Sequence, residues 1–140
     1  MKKQTLIVLL VLAIVNIASA EVRYTITDLG TLGGTRSYAI SINDSGQVVG
    51  YSSIAGVGYR AFLYNGIITT DLGTLGGNSS VALCINESGQ VVGYSRINGG
   101  AYRAFLYDGT EMINLGTLGG DESHAYGINN SGHIVGYSRI

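Results

Sequence analysis

A 43-residue period governs this chain. The heptapeptide Asp28-Leu29-Gly30-Thr31-Leu32-Gly33-Gly34 returns at Asp71–Gly77 and, with Asn114 leading, at Asn114–Gly120. Ile42-Asn43 returns as Ile85-Asn86 and Ile128-Asn129, and Gly46–Ser52 returns at Gly89–Ser95 and Gly132–Ser138. Arg60-Ala61-Phe62-Leu63-Tyr64 returns at Arg103–Tyr107, and no insertion disturbs the offset. A fixed period of this size describes one supersecondary unit that cannot bury its faces alone and must stack on its neighbours.

Within the middle unit, turn residues separate four strand-like stretches. The first expected strand is Ile68–Leu75, closed by Gly76-Gly77, and the second is Val81–Ile85. The turn Asn86-Glu87-Ser88-Gly89 follows, with Asn suited to an Asx turn and Gly to a positive φ. The third strand is Gln90–Arg96, ended by Asn98-Gly99-Gly100, and the fourth is Tyr102–Tyr107, ended by Asp108-Gly109. Strict alternation puts Val81, Leu83 and Ile85 on one face and Ala82 and Cys84 on the other. In the fourth strand Arg103, Phe105 and Tyr107 oppose Ala104 and Leu106. Both faces carry apolar side chains, so each sheet expects cover on both sides.

The expected fold is therefore all-β, with tandem four-stranded antiparallel repeats of 43 residues forming β-propeller-like blades. Four strands in this length is the size of a propeller blade, and residues 21–140 hold about 2.8 units. Their bounds are near 28–70, 71–113 and 114–140, the last incomplete. A β-trefoil, with three units of four strands, is the alternative. Val22–Leu29 reads as the first unit's own first strand, giving eleven strands where a trefoil needs twelve. Open blades leave bare faces, so either copies assemble into a homo-oligomer or the repeats belong to something longer.

Residues 1–20 read as an export signal. Lys2 and Lys3 precede the apolar run Leu6–Val15, and Ala18-Ser19-Ala20 supplies a small-x-small cleavage pattern. The run is short for a bilayer span and no second one follows, so no stable membrane span is expected after cleavage. Residues 21–140 then carry six arginines against nine acidic residues, with no basic stripe to bind nucleic acid. Glycine is abundant, at 22 residues, but recurs at fixed places between β-branched and aromatic residues, which marks ordered turns.

With these motifs in view, residues 24–140 resemble the HAF repeat family of bacterial extracellular proteins. The likeness rests on Asp-Leu-Gly-Thr-Leu-Gly-Gly, Ile-Asn-x-x-Gly-x-Val-Val-Gly-Tyr-Ser and Arg-Ala-Phe-Leu-Tyr. The family's His-Ala-Phe stands here as Arg60-Ala61-Phe62 and Arg103-Ala104-Phe105, so no role of that histidine carries over. The resemblance implies export and repetition, and longer members favour propeller-like closure over a trefoil. It implies no particular activity.

No residue pattern points to catalysis, a metal or a cofactor. Gly-Thr-Leu-Gly-Gly leads into strand-like residues rather than the helix a phosphate loop requires. The turn position Asp44 becomes Glu87 and then Asn130, a drift that favours hairpin structure over a calcium ligand set. Cys84 aligns with Ser41 and Gly127 and reads as a small packed side chain. His124 aligns with Tyr38 and Val81 and reads as an ordinary strand residue. Of ten tyrosines, Tyr51, Tyr94 and Tyr137 recur in the third strand. Tyr59 and Tyr102 flank glycine-containing turns and are the candidate ligand-binding residues, since exposed tyrosine stacks on sugars or anchors protein interfaces. The expected role is that of an exported structural or interaction module, not an enzyme, meeting an unknown protein or glycan at the cell surface. A glycan-binding lectin is the alternative.

Overall fold

The computed structural model describes residues 23–140; the expected signal segment lies outside the described residues. These residues form ten strands and no helix. The first sheet is the meander β1 (Ser37–Ile42), β2 (Val48–Ile54), β3 (Gly58–Tyr64) and β4 (Thr69–Asp71). The second repeats that order with β5 (Gly76–Ile85), β6 (Val91–Ile97), β7 (Tyr102–Tyr107) and β8 (Met112–Asn114). A third sheet has two strands, β9 (Ser123–Ile128) and β10 (Ile134–Ser138). Every strand pair is antiparallel.

The sheets are separate layers and no closed barrel forms among the described residues, so the trefoil alternative is not the arrangement found. The sheet boundaries also differ from those expected. Thr69–Asp71 does not open the second sheet; it pairs with Phe62–Tyr64 and closes the first. Leu72 N extends that pairing by donating to Ala61 O at 2.9 Å. The chain crosses to the next layer through Leu72–Leu75, and β5 then starts at Gly76, inside the segment expected to be a turn. Residues 23–36 contain no strand, so the expected first strand near Val22–Leu29 does not form in the described part. The physical reason is pairing: a motif at this position makes a strand only against the arginine-containing strand before it, as β4 does on β3.

A β-bulge in the first strand of each sheet accounts for a second difference. The register shifts between Ala39 and Ser41 in β1, and between Ala82 and Cys84 in β5. Leu83 is therefore the extra residue, and alternation resets across it. Ala82 and Ile85 share one face, packed with Val91 and Phe105 against Val49 and Ala61 of the first sheet. Cys84 joins the opposite face, with Val92, Ala104 and Leu106, against Ala125, Ile128 and Ile134 of the third sheet. The strand-wide alternation expected for Val81–Ile85 thus fails at the bulge, while that of β7 holds, Phe105 and Tyr107 opposing Ala104 and Leu106. Gly93 sits opposite the bulge because a Cβ there would lie 2.0 Å from Val81 O. Gly50 and Gly136 face Tyr38 O and His124 O in the same way.

Candidate functional site

Polar residues that recur every 43 positions hold layer to layer. Ser80 Oγ, fully buried, accepts from Ala61 N of the first sheet at 2.9 Å and donates to Gly73 O at 2.5 Å. Ser123 Oγ does the same for the next pair of layers, accepting from Ala104 N and donating to Gly116 O. Ser52, Ser95 and Ser138 each accept from a backbone N–H of the Gly-Thr-Leu-Gly-Gly turn, at Leu32, Leu75 and Leu118, all at 2.9 Å. Ser80 and Ser123 thus satisfy buried backbone N–H groups of the preceding sheet, whereas Ser52, Ser95 and Ser138 tie each turn to its own unit.

The Asn-x-Ser-Gly turns form a second ladder. Asn86 Oδ1 accepts from Ser88 N and Gln90 N, which shapes the turn, and Gly89 adopts a φ of 77°. Asn43 Nδ2 donates 3.1 Å to Asn86 O, and Asn86 Nδ2 donates 3.1 Å to Asn129 O. Asp44 N is held by the Glu87 carboxylate at 3.0 Å, and Glu87 N by Asn130 Oδ1 at 3.0 Å. The drift from Asp to Glu to Asn, read from sequence as a hairpin position, therefore also carries an interlayer bond. Nothing in a single unit signals this, because donor and acceptor lie 43 residues apart.

Aromatic side chains form the other concentrated feature. Tyr59, at the start of β3 and 37 % exposed, meets Tyr51 edge-on at 5.3 Å and Tyr38 at 6.4 Å. Tyr38 and Tyr51 are cross-strand partners whose rings stack at 4.7 Å. Tyr102, at the start of β7, meets Tyr94 edge-on at 5.4 Å and lies 4.9 Å beneath the Arg96 guanidinium. Tyr94 in turn stacks on His124 of the third sheet at 4.2 Å and 16°. The structure thus brings Tyr59 and Tyr102 into two aromatic clusters, one on each complete sheet, rather than leaving them as isolated edge residues.

His124 is the residue that sequence reasoning underrated. Its ring contacts Tyr94, Tyr102, Tyr126 and Tyr137, and its Nε2 lies 3.1 Å from Glu122 Oε1. Glu122 continues to Arg139 at 3.2 Å, and Arg139 Nε donates to the Tyr137 hydroxyl at 3.0 Å. Burial raises the Tyr94 phenol above its ordinary pKa, and the neighbouring Tyr102 adds to the shift. Tyr94 therefore stays neutral across the physiological range, a stacking surface rather than a base. Beside this cluster a cleft of about 260 Å³ opens between Leu118, Ser123, His124 and Tyr137. The Ser123 hydroxyl is spent on Ala104 N and Gly116 O, not on the histidine.

Among the described residues, no three His, Cys, Asp or Glu side chains gather as a metal-binding group. No described helix is long and apolar enough to cross a membrane. The fold and its bonding define an all-β protein of stacked antiparallel sheets held by repeated serine and asparagine contacts. No family model, curated protein or solved structure matches the chain.

Proposed function

We propose that the chain is an exported, non-catalytic scaffold of the HAF repeat type, its propeller-like blades presenting an aromatic ridge to a partner at the cell surface. The observation that carries this reading is the division of labour among recurrent residues. Serine and asparagine side chains are consumed in joining layers, as Ser80 and Asn86 are. Among the exposed tyrosines, Tyr59 recurs as Tyr102 and Tyr137 recurs as Tyr51 and Tyr94, while Tyr38 and Tyr126 add unrepeated rings beside them. Half-exposed tyrosines give a rigid apolar body with a polar tip, which suits recognition without chemistry. Export rests on the Lys2-Lys3, Leu6–Val15 and Ala18–Ala20 pattern.

A glycan-binding role is a second reading, favoured by the Arg96–Tyr102 pair, where a cation lies over one ring next to further aromatic edges. Both readings are tested by binding the labelled chain to intact bacterial envelopes, with and without periodate oxidation of surface glycans. A Tyr59→Ser/Tyr102→Ser variant with unchanged far-ultraviolet circular dichroism is the control. Binding lost in the variant but kept after periodate supports a protein partner; binding lost after periodate selects the glycan. Wild-type binding equal to that of the double variant overturns the ridge as the recognition surface.

A further inference from the structure

The two outer faces of the stack are complementary to each other. Among the described residues, both interfaces between sheets join one repeated surface to another. On the outgoing side stand Val49 and then Val92, each fully buried against the next layer. On the receiving side stand Ala82, Ile85 and Val91, then Ala125, Ile128 and Ile134. The first sheet carries the receiving set once more as Ala39, Ile42 and Val48, with no further sheet over it among the described residues and only Thr27 and Leu29 beside it. Ile42 is 66 % exposed where Ile85 is 6 % exposed. With Leu29 these residues line an apolar cleft of about 320 Å³. The third sheet carries the outgoing valine once more as Val135, also 66 % exposed.

The polar ladder is open at the same two faces. Asn129 Nδ2 reaches only the His133 ring at 3.3 Å, whereas Asn43 and Asn86 each donate to the next turn. At the other end Asn43 O accepts one bond, from Gly46 N, whereas Asn86 O and Asn129 O each accept a second from the preceding layer. Asp44 N and Glu87 N both find an oxygen one layer on. Asn130 N has no such partner, and the Asp44 carboxylate at the opposite face is the equivalent acceptor.

We infer that the third sheet of one copy docks on the first sheet of a second copy, head to tail, repeating the contact that joins the layers within the chain. The inference rests on the scaffold reading above and specifies how the scaffold extends. Val135 seats in the cleft of Ala39, Ile42 and Val48 of the second copy, Asn129 Nδ2 donates to its Asn43 O, and Asn130 N to its Asp44. Self-stacking is favoured over an unrelated partner because apolar knob, donor and acceptor positions all match at one offset. The contact is heterologous, so it propagates to a ring or a filament rather than ending at a dimer. The third sheet offers two strands where the first and second offer four, so the contact is smaller than the one between the first two sheets and depends on concentration.

The test is sedimentation equilibrium of the full chain with two variants, Ile42→Asp on the receiving face and Val135→Asp on the outgoing face. Both positions are solvent-exposed, so the β spectrum is expected to persist. The wild type is expected to grow in mass with concentration and each variant to remain monomeric. An equimolar mixture of the two, each retaining the face the other lacks, is expected to give a one-to-one dimer and nothing larger. Asp44→Ala, at an exposed turn, is a second receiving-face variant and weakens association several-fold. A monomeric wild type, a mixture that stays monomeric, or association indifferent to both charges overturns the inference. None of these outcomes bears on envelope binding through Tyr59 and Tyr102, which is measured separately.

Discussion

Replacing Ser80 by alanine removes one oxygen atom from the interface between the first and second sheets. That oxygen is fully buried and makes two bonds, from Ala61 N at 2.9 Å and to Gly73 O at 2.5 Å. Its loss leaves a buried backbone N–H unpaired, a defect costing about 1–3 kcal/mol, and removes a donor from the Gly73 carbonyl as well. Alanine fits the vacated space without strain, so the two bonds dominate and about 2 kcal/mol is expected. With a urea dependence of about 2 kcal/mol/M for a domain of this size, the midpoint falls by about 1 M. The repeat supplies its own control. Ser37 is the same residue one period earlier, but it is exposed and its hydroxyl makes no hydrogen bond among the described residues. Ser37→Ala should shift stability by no more than about 0.5 kcal/mol. Urea titration followed by far-ultraviolet circular dichroism measures both variants on one scale. Equal losses for Ser37→Ala and Ser80→Ala, or a negligible loss for Ser80→Ala, would refute the claim that interlayer bonding gives the serine its role.

Two further outcomes follow from local geometry. Gly93→Ala places a Cβ 2.0 Å from Val81 O and 3.0 Å from Ala82 Cα, so the bulge must open; a loss of about 3 kcal/mol is expected in the same titration, and a variant as stable as wild type would contradict the packing at the bulge. Asp108 accepts from the Thr110 hydroxyl and from Thr110 N and Glu111 N, and these bonds hold its carboxyl down at about 2. A depressed folded-state pKa stabilises above the unfolded value and is lost as pH falls through the folded one. Asp108→Asn should therefore flatten the pH dependence of the thermal midpoint between about 4 and about 2. An unchanged acid slope would show that the turn does not depend on the charge.

Local chemistry made much of this molecule legible. The 43-residue period, the Asn-x-Ser-Gly turns and the opposed faces of Tyr102–Tyr107 all follow from residues close in the chain, because turn residues and strand alternation act over a few positions. Tyr59 and Tyr102 stood out for the same reason, as aromatics flanking glycine turns. His124 did not, because its importance lies in the Tyr94 ring of another sheet, 30 residues away, which stacks on it.

The remaining features belong to contacts between distant residues. Asp71 and its neighbours suit a strand in either layer; backbone pairing with Phe62–Tyr64 assigns them to the first sheet. Leu83 looks like any inward residue until the bulge makes it the extra one and returns Ala82 and Ile85 to a single face, since one inserted residue inverts every side chain beyond it. The bonds of Ser80 to Ala61 N, Ser123 to Ala104 N, Asn43 to Asn86 O and Asn86 to Asn129 O have no signature within one unit, because each needs a backbone atom that only stacking brings near. The sequence by itself determined the 43-residue period, the Asn-x-Ser-Gly turns and the strands that flank them; the tertiary structure decided where the linking segments pair, which strands share a sheet, which faces meet and where the aromatic rings gather, since hydrogen bonds and burial between layers are settled only when the layers touch.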